Sequence, residues 1–198
     1  MTRENRLDLA ILQLFLRNTY LRLSINEIAR RLGRQYPNIN RKVNELLQED
    51  ILLKQVIGRS HLCSLNLDNP RTRLLMGLIE LRRLEQEQPK EAKALRERVR
   101  ELRRHHPINF ALLKGREIFL CIQRNTPRKG PRSLAADGAW QIRSIPSADM
   151  SRHLLEHSLF ADHHLIYGFD RYYEFINDHE QELRPELDPL LNPDGQQP

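Results

Sequence analysis

The sequence predicts an α+β protein made of two small domains joined by a helical segment. Three short amphipathic segments precede a two-stranded hairpin, a long leucine-rich stretch follows, and alternating apolar segments and turns fill the second half. The predicted domains are residues 1–67, a helical linker over residues 68–106, a small α+β domain over residues 107–183 and a flexible tail over residues 184–198. A chain of 198 residues is long enough for this division.

Positive charge is concentrated in the first half of the chain. The formal net charge is +6, and residues 1–67 carry eleven basic and six acidic residues. Residues 108–198 carry ten basic and thirteen acidic residues. A basic domain gains free energy on docking to a polyanion, because phosphate contacts release condensed counterions. Charge alone fits a solvated surface equally well.

The first two helices are predicted from apolar spacing and capping residues. Residues 5–18 place apolar side chains at helical intervals. Ser24 stands three residues before Glu27, which is the pattern of a capping box, where each side chain satisfies a backbone N–H of the new helix. This second helix is expected to end at Gly33, because glycine adopts the left-handed conformation at no steric cost.

A third helix is predicted from Pro37 to Glu49, since proline suits a first helical turn. Asp50 follows at a position that needs a left-handed turn, which Asp tolerates better than most residues. Strands over residues 51–57 and 61–67 then form a predicted hairpin. This order of elements is that of a winged helix, whose third helix projects from a small core and can enter a major groove about 12 Å wide.

The predicted DNA-binding residues lie at the start of the third helix and at the hairpin tip. Asn can bond adenine in a bidentate fashion and Arg can do the same to guanine, whereas Lys42 and Arg34 are expected to hold phosphates. Arg59, at the hairpin tip, is expected to reach the backbone or minor groove. No acidic residue occurs between Leu32 and Asn44. The predicted set is Arg34, Gln35, Tyr36, Asn38, Asn40, Arg41, Lys42 and Arg59.

Two stretches of the first domain carry a resemblance to a known family. They are SINEIARRLG over residues 24–33 and YPNINRKVNELLQEDIL over residues 36–52. They resemble the winged helix-turn-helix of archaeal and bacterial transcriptional regulators related to the MarR and ArsR families. The resemblance covers residues 5–67, and Asp50 stands where the family commonly has glycine. It implies binding of double-stranded operator DNA by a homodimer.

Residues 68–106 carry two apolar stripes that predict helices. Pro89 separates the stripes, which form either an antiparallel pair or one kinked helix. The spacing suits the seam of a dimer, although a helix packed on its own domain has the same pattern. The stripes are Leu74, Leu78, Leu81 and Leu84, then Ala92, Leu95, Val99 and Leu102.

The C-terminal domain is predicted from apolar segments separated by turns. Residues 125–138, which are rich in proline, glycine and basic side chains, predict a mobile loop. The predicted strands cover residues 108–113, 117–123, 140–145 and 163–167, and the predicted helices cover residues 150–159 and 169–183.

Part of this domain resembles minimal nucleotidyltransferases. FALLKGREIFLCI, over residues 110–122, is similar to their first hairpin, and HLIYGFDRYYEFI, over residues 164–176, to their closing strand and helix. An active member has a Gly-Ser turn and two aspartates one residue apart that hold Mg²⁺. Here Arg116 replaces the serine, and the carboxylate positions fall on Glu117 and Phe119. The resemblance thus implies a fold without two-metal chemistry, reused for assembly or for sensing an effector. A generic α+β dimerisation domain is the alternative.

Three further features of the sequence argue against a metal site, a disulfide and a membrane span. Cys63 and Cys121 are predicted to be buried apolar residues, not metal ligands or a disulfide. No apolar run reaches the length of a signal peptide or a membrane span, so a cytoplasmic protein is expected. His153 and His157 are spaced for one metal, with His163-His164 nearby, but no cysteine or acid pair completes the set. Solvated or capping histidines are therefore favoured, and neither metal nor cofactor is predicted.

The sequence therefore predicts a sequence-specific DNA-binding transcriptional regulator. It is expected to bind double-stranded DNA as a homodimer and not to act as an enzyme. Two alternatives stay open: a nucleotidyltransferase-like protein of the toxin–antitoxin type, and a protein-interaction scaffold built on the helical middle of the chain.

Overall fold

The computed structural model describes residues 3–58, 60–123, 133–134, 140–156, 159–160 and 162–187. These residues form helices and two separate sheets, which confirms the predicted α+β class. The helices are α1 (Arg3–Gln13), α2 (Ile25–Leu32), α3 (Tyr36–Gln48), α4 (Pro70–Glu87), α5 (Ala92–Arg103), α6 (Ser147–Glu156), α7 (Phe169–Asp178) and α8 (Glu180–Leu187). The strands are β1 (Leu52–Ile57), β2 (Ser60–Leu65), β3 (Ile108–Lys114), β4 (Glu117–Ile122), β5 (Ser133–Leu134), β6 (Gln141–Pro146) and β7 (His164–Tyr167).

The chain divides into two compact units. The first comprises Met1–Ile79 together with Arg184–Pro198, and the second comprises Glu80–Leu183. The sequence boundaries at residues 67 and 106 therefore differ from this division, which has no separate linker unit. The reason is that α5 belongs to the core of the second unit, as its packing shows below.

The first unit is built from α1, α2 and α3 around an apolar core, with the β1–β2 hairpin beside them. The hairpin pairs antiparallel from Leu52–Leu65 to Ile57–Ser60, which leaves a two-residue tip. Leu23, between α1 and α2, extends this sheet through two backbone hydrogen bonds to Cys63, of 2.9 and 2.8 Å. The core side chains include Ile11, Phe15, Ile28, Ile39, Val43, Leu46, Ile51 and Leu52.

Local sequence signals fix the boundaries of α2 and the end of α3. The Glu27 backbone N–H donates to Ser24 Oγ over 3.2 Å, and Gly33 ends α2 with φ of 60°. Asp50 has φ of 55°, as its place after α3 predicted. Only half of the expected capping box forms, because the Glu27 carboxylate instead accepts from Arg30 and Arg31 over 2.7 Å each.

The α1 helix ends earlier than predicted, at Gln13 and not near residue 18. After it the chain tightens into a turn, with Phe15 N–H donating to Leu12 O over 3.0 Å, an i to i−3 bond. Asn18 then accepts from Tyr20 N–H over 3.0 Å through its side chain. Asparagine side chains of this kind compete with the helical hydrogen bonds, so the apolar spacing outlasts the helix itself.

The second unit contains a five-stranded mixed sheet in the order β5-β6-β4-β3-β7. The central β4 pairs antiparallel with β3 and parallel with β6, and β7 pairs antiparallel with the other side of β3. The β5 strand lies inside the stretch predicted as a loop, most of which is outside the described residues.

The apolar stripe on α5 packs on the sheet of its own unit. Leu95 and Val99 are fully or almost fully buried with sheet residues such as Ala111 and Leu120. The spacing of this stripe allowed two interpretations, a dimer seam or packing within the same unit. For α5 the second interpretation is confirmed and the first is wrong. On α4, by contrast, Leu74 and Leu78 are exposed.

The C-terminal helical stretch is divided in two. Where one helix was expected over residues 169–183, α7 ends at Asp178 and α8 begins at Glu180, with His179 between them. The α8 helix also runs through Leu187, into the stretch predicted as a tail, and Asn18 Nδ2 donates to Leu187 O over 2.6 Å. Among the helices the structure describes, none combines the length and the apolar character that a membrane crossing requires.

Candidate nucleic-acid interface

The α3 helix has one face buried in the first unit and the opposite face exposed. Ile39, Val43 and Leu46 are buried at 0%, 0% and 3% exposure. Arg41, Asn44 and Gln48, spaced by three and four residues, lie on the other side and are exposed. The burial of the first set fixes the rotation of α3, so the second set points away from the core.

A groove runs between α3 and the β1–β2 hairpin. Its volume is about 450 Å³, and none of the eleven described residues that line it is acidic. The start of α2 contributes Asn26 to the groove, α3 contributes Tyr36, Asn40 and Asn44, and the hairpin contributes Lys54 and His61. Its walls therefore offer amide, hydroxyl, imidazole and ammonium groups but no carboxylate, a composition suited to a polyanion.

Most of the predicted DNA-binding residues lie on this exposed side. Arg34, Gln35, Tyr36 and Asn38 are exposed at the start of α3 and just before it, and Asn40 is half-buried in the groove wall. Arg59, at the tip of the hairpin, lies outside the described residues.

Lys42 was predicted to be exposed for phosphate contact, and that prediction is wrong. Its side chain is only 10% exposed, and the ammonium lies 3.2 Å from Asp8 Oδ1 and 2.5 Å from Glu45 Oε2. Hydrogen bonds to Glu45 and Asp8 raise the pKa of Lys42 above its ordinary value, against the opposing effect of burial. The charge of Lys42 is thus used within the first unit.

Arg41 and Arg34 differ in how far nearby carboxylates neutralise them. The Arg41 side chain is 67% exposed, and its Nε lies 4.0 Å from Glu45 Oε1 on the next turn. That distance marks a weak surface pair that leaves the guanidinium able to bind elsewhere. Arg34 makes no ion pair with any described residue.

The basic residues of α2 are tied to a carboxylate. Arg30 and Arg31 both donate to Glu27, which lowers the pKa of Glu27 to about 2. These two guanidiniums share one counter-charge. Among the described residues, the cations on the α3 side of the unit with no close carboxylate partner include Arg34, Arg41 and Lys54.

Sequence reasoning missed several residues on this surface, among them Asn26, Asn44, Gln48, Lys54 and His61. Helical spacing from Arg41 could have found Asn44 and Gln48, which follow it by three and seven residues. Alternation along the hairpin gives weaker guidance, because both faces of β1 carry exposed side chains.

Glu117 and Phe119, the two positions to which the nucleotidyltransferase resemblance assigned metal-binding carboxylates, both lie in β4. Phe119 is buried at 2% exposure in β4, and the Glu117 carboxylate lies 2.5 Å from the Arg143 guanidinium. No group of three or more metal-ligating side chains occurs among the described residues. His157 of the predicted histidine pair lies outside them.

His163 is buried and makes a structural contact. Its Nδ1 is hydrogen-bonded to Leu159 O, and burial lowers its pKa to about 4, so the imidazole is neutral near pH 7. The neutral imidazole, with Nδ1–H donating to the Leu159 carbonyl beyond the end of α6, is therefore a buried structural contact, and not one of the solvated or capping histidines that the sequence predicted.

A second titratable group of the unit is Glu80, which is 1% exposed. Its Oε2 lies 3.8 Å from Arg83 Nε, and burial raises the pKa of Glu80 to about 7. Tyr173 faces the carboxyl from α7, and burial raises its pKa as well. This cluster has a carboxyl that titrates near neutrality inside an apolar core.

Comparison with known proteins gives no relative from which to carry over a function. No family model, no curated protein and no solved structure matches the chain.

Proposed function

We propose that residues 1–67 form a winged helix-turn-helix that binds double-stranded DNA, and that the protein is a sequence-specific transcriptional regulator. The observation that carries the proposal is the outward face of α3, with its adjoining groove free of carboxylates among the described residues. In this proposal α3 is the recognition helix and the β1–β2 hairpin is the wing.

The shape of the first unit suits a duplex. A recognition helix enters the major groove while the wing rests on the neighbouring backbone, so one phosphodiester strand passes between the two elements. Lys54 and His61 line the corresponding groove from the hairpin side, and Asn40 and Asn44 line it from α3. Cations and amides are the groups that most often contact phosphates and base edges.

The residues take different roles in the proposal. Arg34 and Lys54, which have no ion pair among the described residues, bind phosphates, and Arg59 does so at the wing tip. Arg41 and Asn44 meet base edges, joined by Gln35, Tyr36, Asn38 and Asn40 at the start of the helix. Lys42 is left out because Asp8 and Glu45 hold it.

We propose further that the regulator acts as a homodimer and that the second unit has no catalytic role. Leu74 and Leu78, one helical turn apart on α4, are 64% and 38% exposed and give an apolar surface for a second copy. Arg143 engages Glu117, and Phe119 occupies the position of the second carboxylate, which supports an assembly or sensing role over nucleotidyl transfer.

Duplex binding as a function of salt tests the proposal. The full chain should bind a mixed-sequence duplex with an affinity that falls steeply with salt, about 0.9 logarithmic units per contacted phosphate for each tenfold rise. Lys54→Ala should reduce that slope by about one unit, whereas Lys93→Ala, an exposed lysine on α5 paired with Glu97, should not change it. A chain that binds no duplex at low salt is not the regulator proposed here.

A further inference from the structure

The outward face of α3 carries a row of side-chain amides. Asn40, Asn44 and Gln48 follow one another at intervals of four residues, so they form a nearly straight row about 12 Å long on the helix. Asn44 and Gln48 are exposed, and Asn40 lines the groove. We call these three residues the amide row.

We propose that the amide row makes this protein select A·T base pairs through the major groove, an inference that rests on the proposed DNA-binding function. A side-chain amide can donate to adenine N7 and accept from adenine N6 at the same time, a pairing that no other base offers. Three amides in register along one helix therefore favour adenines at successive positions.

One internal contact orders the row. Asn44 Nδ2 donates to Asn40 Oδ1 over 3.3 Å, which leaves Asn44 Oδ1 directed to accept and Asn40 Nδ2 to donate. No other side-chain hydrogen bond engages these two amides within the described residues. The pair thus presents both a donor and an acceptor, as an adenine edge requires.

The cations that would favour guanine are fewer on this face. Lysine and arginine read guanine O6 and N7, but Lys42 is held by Asp8 and Glu45, and Arg41 lies 4.0 Å from Glu45. Tyr36, which is 46% exposed beside Asn40 in the groove, offers an aromatic face for the thymine methyl group. The balance of groups is three amides and one ring for A·T pairs against one partly neutralised guanidinium for G·C.

The first experiment selects bound sequences from a randomised duplex library with the full chain, then measures affinities for the selected duplex and for one with G·C in place of A·T. We expect selected sites with at least two A·T positions, with room for one G·C pair opposite Arg41, and roughly tenfold weaker binding when a contacted A·T pair is exchanged. A G·C preference throughout would overturn the inference and leave the proposed function standing. Salt-dependent binding with no base preference would overturn the inference and the sequence specificity of the proposed regulator, and would leave DNA binding alone. A failure to bind any duplex would overturn both.

The second experiment replaces the contacted adenines of the selected duplex with 7-deazaadenine. This base keeps its pairing and its minor-groove edge but has C–H in place of N7, so it removes an acceptor from the major groove alone. With one contacted adenine replaced at a time, wild-type binding should weaken several-fold at each position. Asn44→Ala should be insensitive at the one position that Asn44 contacts, and it should bind the natural duplex more weakly than the wild type does. Gln13→Ala, an exposed amide on α1, should behave as the wild type.

Two results of the second experiment would count against the amide row. Equal wild-type affinity for the two duplexes would show that A·T selection, if seen, comes from groove shape. An Asn44→Ala variant that loses the same factor on all sequences and stays sensitive to 7-deazaadenine at every contacted position would make Asn44 a phosphate contact. Thermal unfolding of each variant checks that exposed α3 substitutions leave the fold intact.

Discussion

The Lys42 ammonium lies 3.2 Å from the Asp8 carboxylate, a contact that links α3 to α1 in the first unit. The same ammonium lies 2.5 Å from Glu45 Oε2, one turn along α3. A cation held by two carboxylates on two helices stabilises the position of the recognition helix that we propose, and it does not face a DNA backbone.

Lys42→Met should therefore lower the free energy of unfolding by about 2 kcal/mol, because it removes a charged hydrogen-bonding partner from Asp8 and Glu45. Lys54→Met is the matched control on the hairpin, where the lysine is exposed and unpaired among the described residues. Chemical denaturation of both variants measures the stability, and duplex affinity under folding conditions measures the binding. We expect Lys54→Met to lose affinity but not stability. If Lys42→Met instead lost duplex affinity and kept its stability, Lys42 would be the phosphate contact.

Lys42 also shows where sequence reasoning was sufficient and where it was not. It stands three residues after Ile39 and four before Leu46, so helical spacing places it on the buried face. Because lysine is a cation, we predicted an exposed side chain instead. The carboxylate that pairs with it in the buried position, Asp8, is remote in sequence. Ser24 and Gly33, by contrast, act on their own helix, and their capping roles were predictable from neighbouring residues alone.

The α5 stripe shows a second limit. The spacing of Leu95 and Val99 requires an apolar partner but does not say whether that partner is a second copy or the sheet of the same unit. The sheet is the partner. The pairing of β4 with β6 is parallel and joins segments separated by a long connection, so no local signal specified it.

Arg41→Ala should weaken binding to the cognate duplex by about 1–3 kcal/mol and relax the preference at one base pair, because Arg41 is the exposed guanidinium of the α3 face. Arg34→Ala, just before the helix, should weaken binding to cognate and random duplexes alike. Affinities of both variants for both duplexes provide the measurement. Equal losses of Arg41→Ala on the two duplexes would assign that guanidinium to the backbone.

Leu95→Ala should lower the free energy of unfolding of the second unit by about 2–5 kcal/mol, because Leu95 is 0% exposed in its core and the truncation leaves a cavity. Leu74→Ala should change stability by less than about 0.5 kcal/mol, since that side chain is 64% exposed. Sedimentation of Leu74→Glu then tests the dimer: we expect more monomer at a given concentration. An unchanged mass would remove α4 from the proposed interface.

Gly168→Ala should prevent stable folding of the second unit, with a cost of about 3 kcal/mol or more. Gly168 has φ of 74°, and a Cβ there would lie 2.1 Å from the backbone oxygen of Asn109 and 2.7 Å from Phe110 Cα. Gly115 has a similar φ of 57° with no atom within 4 Å of such a Cβ, so Gly115→Ala should cost only about 1 kcal/mol. Thermal unfolding of the two variants distinguishes the destabilisation caused by the steric overlap at Gly168 from the destabilisation caused by positive φ, which both positions share. Equal destabilisation would mean that β3 can move away from α7.

The stability of the second unit should depend on pH through Glu80. Burial raises the pKa of this carboxyl from 4.5 to about 7, so the folded state binds a proton that the unfolded state has released. The stabilising contribution is complete below about pH 4.5 and is lost as the pH rises to about 7. His163 acts with the opposite sign: its pKa is lowered to about 4, so its contribution is present above about pH 6.5 and is lost as the pH falls.

Glu80→Gln keeps the shape of the side chain and removes its titration. The pH dependence of stability that remains in this variant should therefore include the contribution of His163. When the pH rises from 5 to 8, the wild type should lose roughly 2–3 kcal/mol of unfolding free energy through Glu80, because each unit of pKa shift corresponds to about 1.4 kcal/mol. The variant should not lose this contribution. Arg83, Glu87 and Tyr173 act on the same carboxyl. His164 lies one step further away, with its Nε2 3.4 Å from Glu87 Oε2. Glu87→Gln, at an exposed position, is the control and should shift this difference much less. A Glu80→Gln profile that runs parallel to the wild type from pH 5 to pH 8 would mean that Arg83 keeps Glu80 ionised throughout, against the dominance of burial.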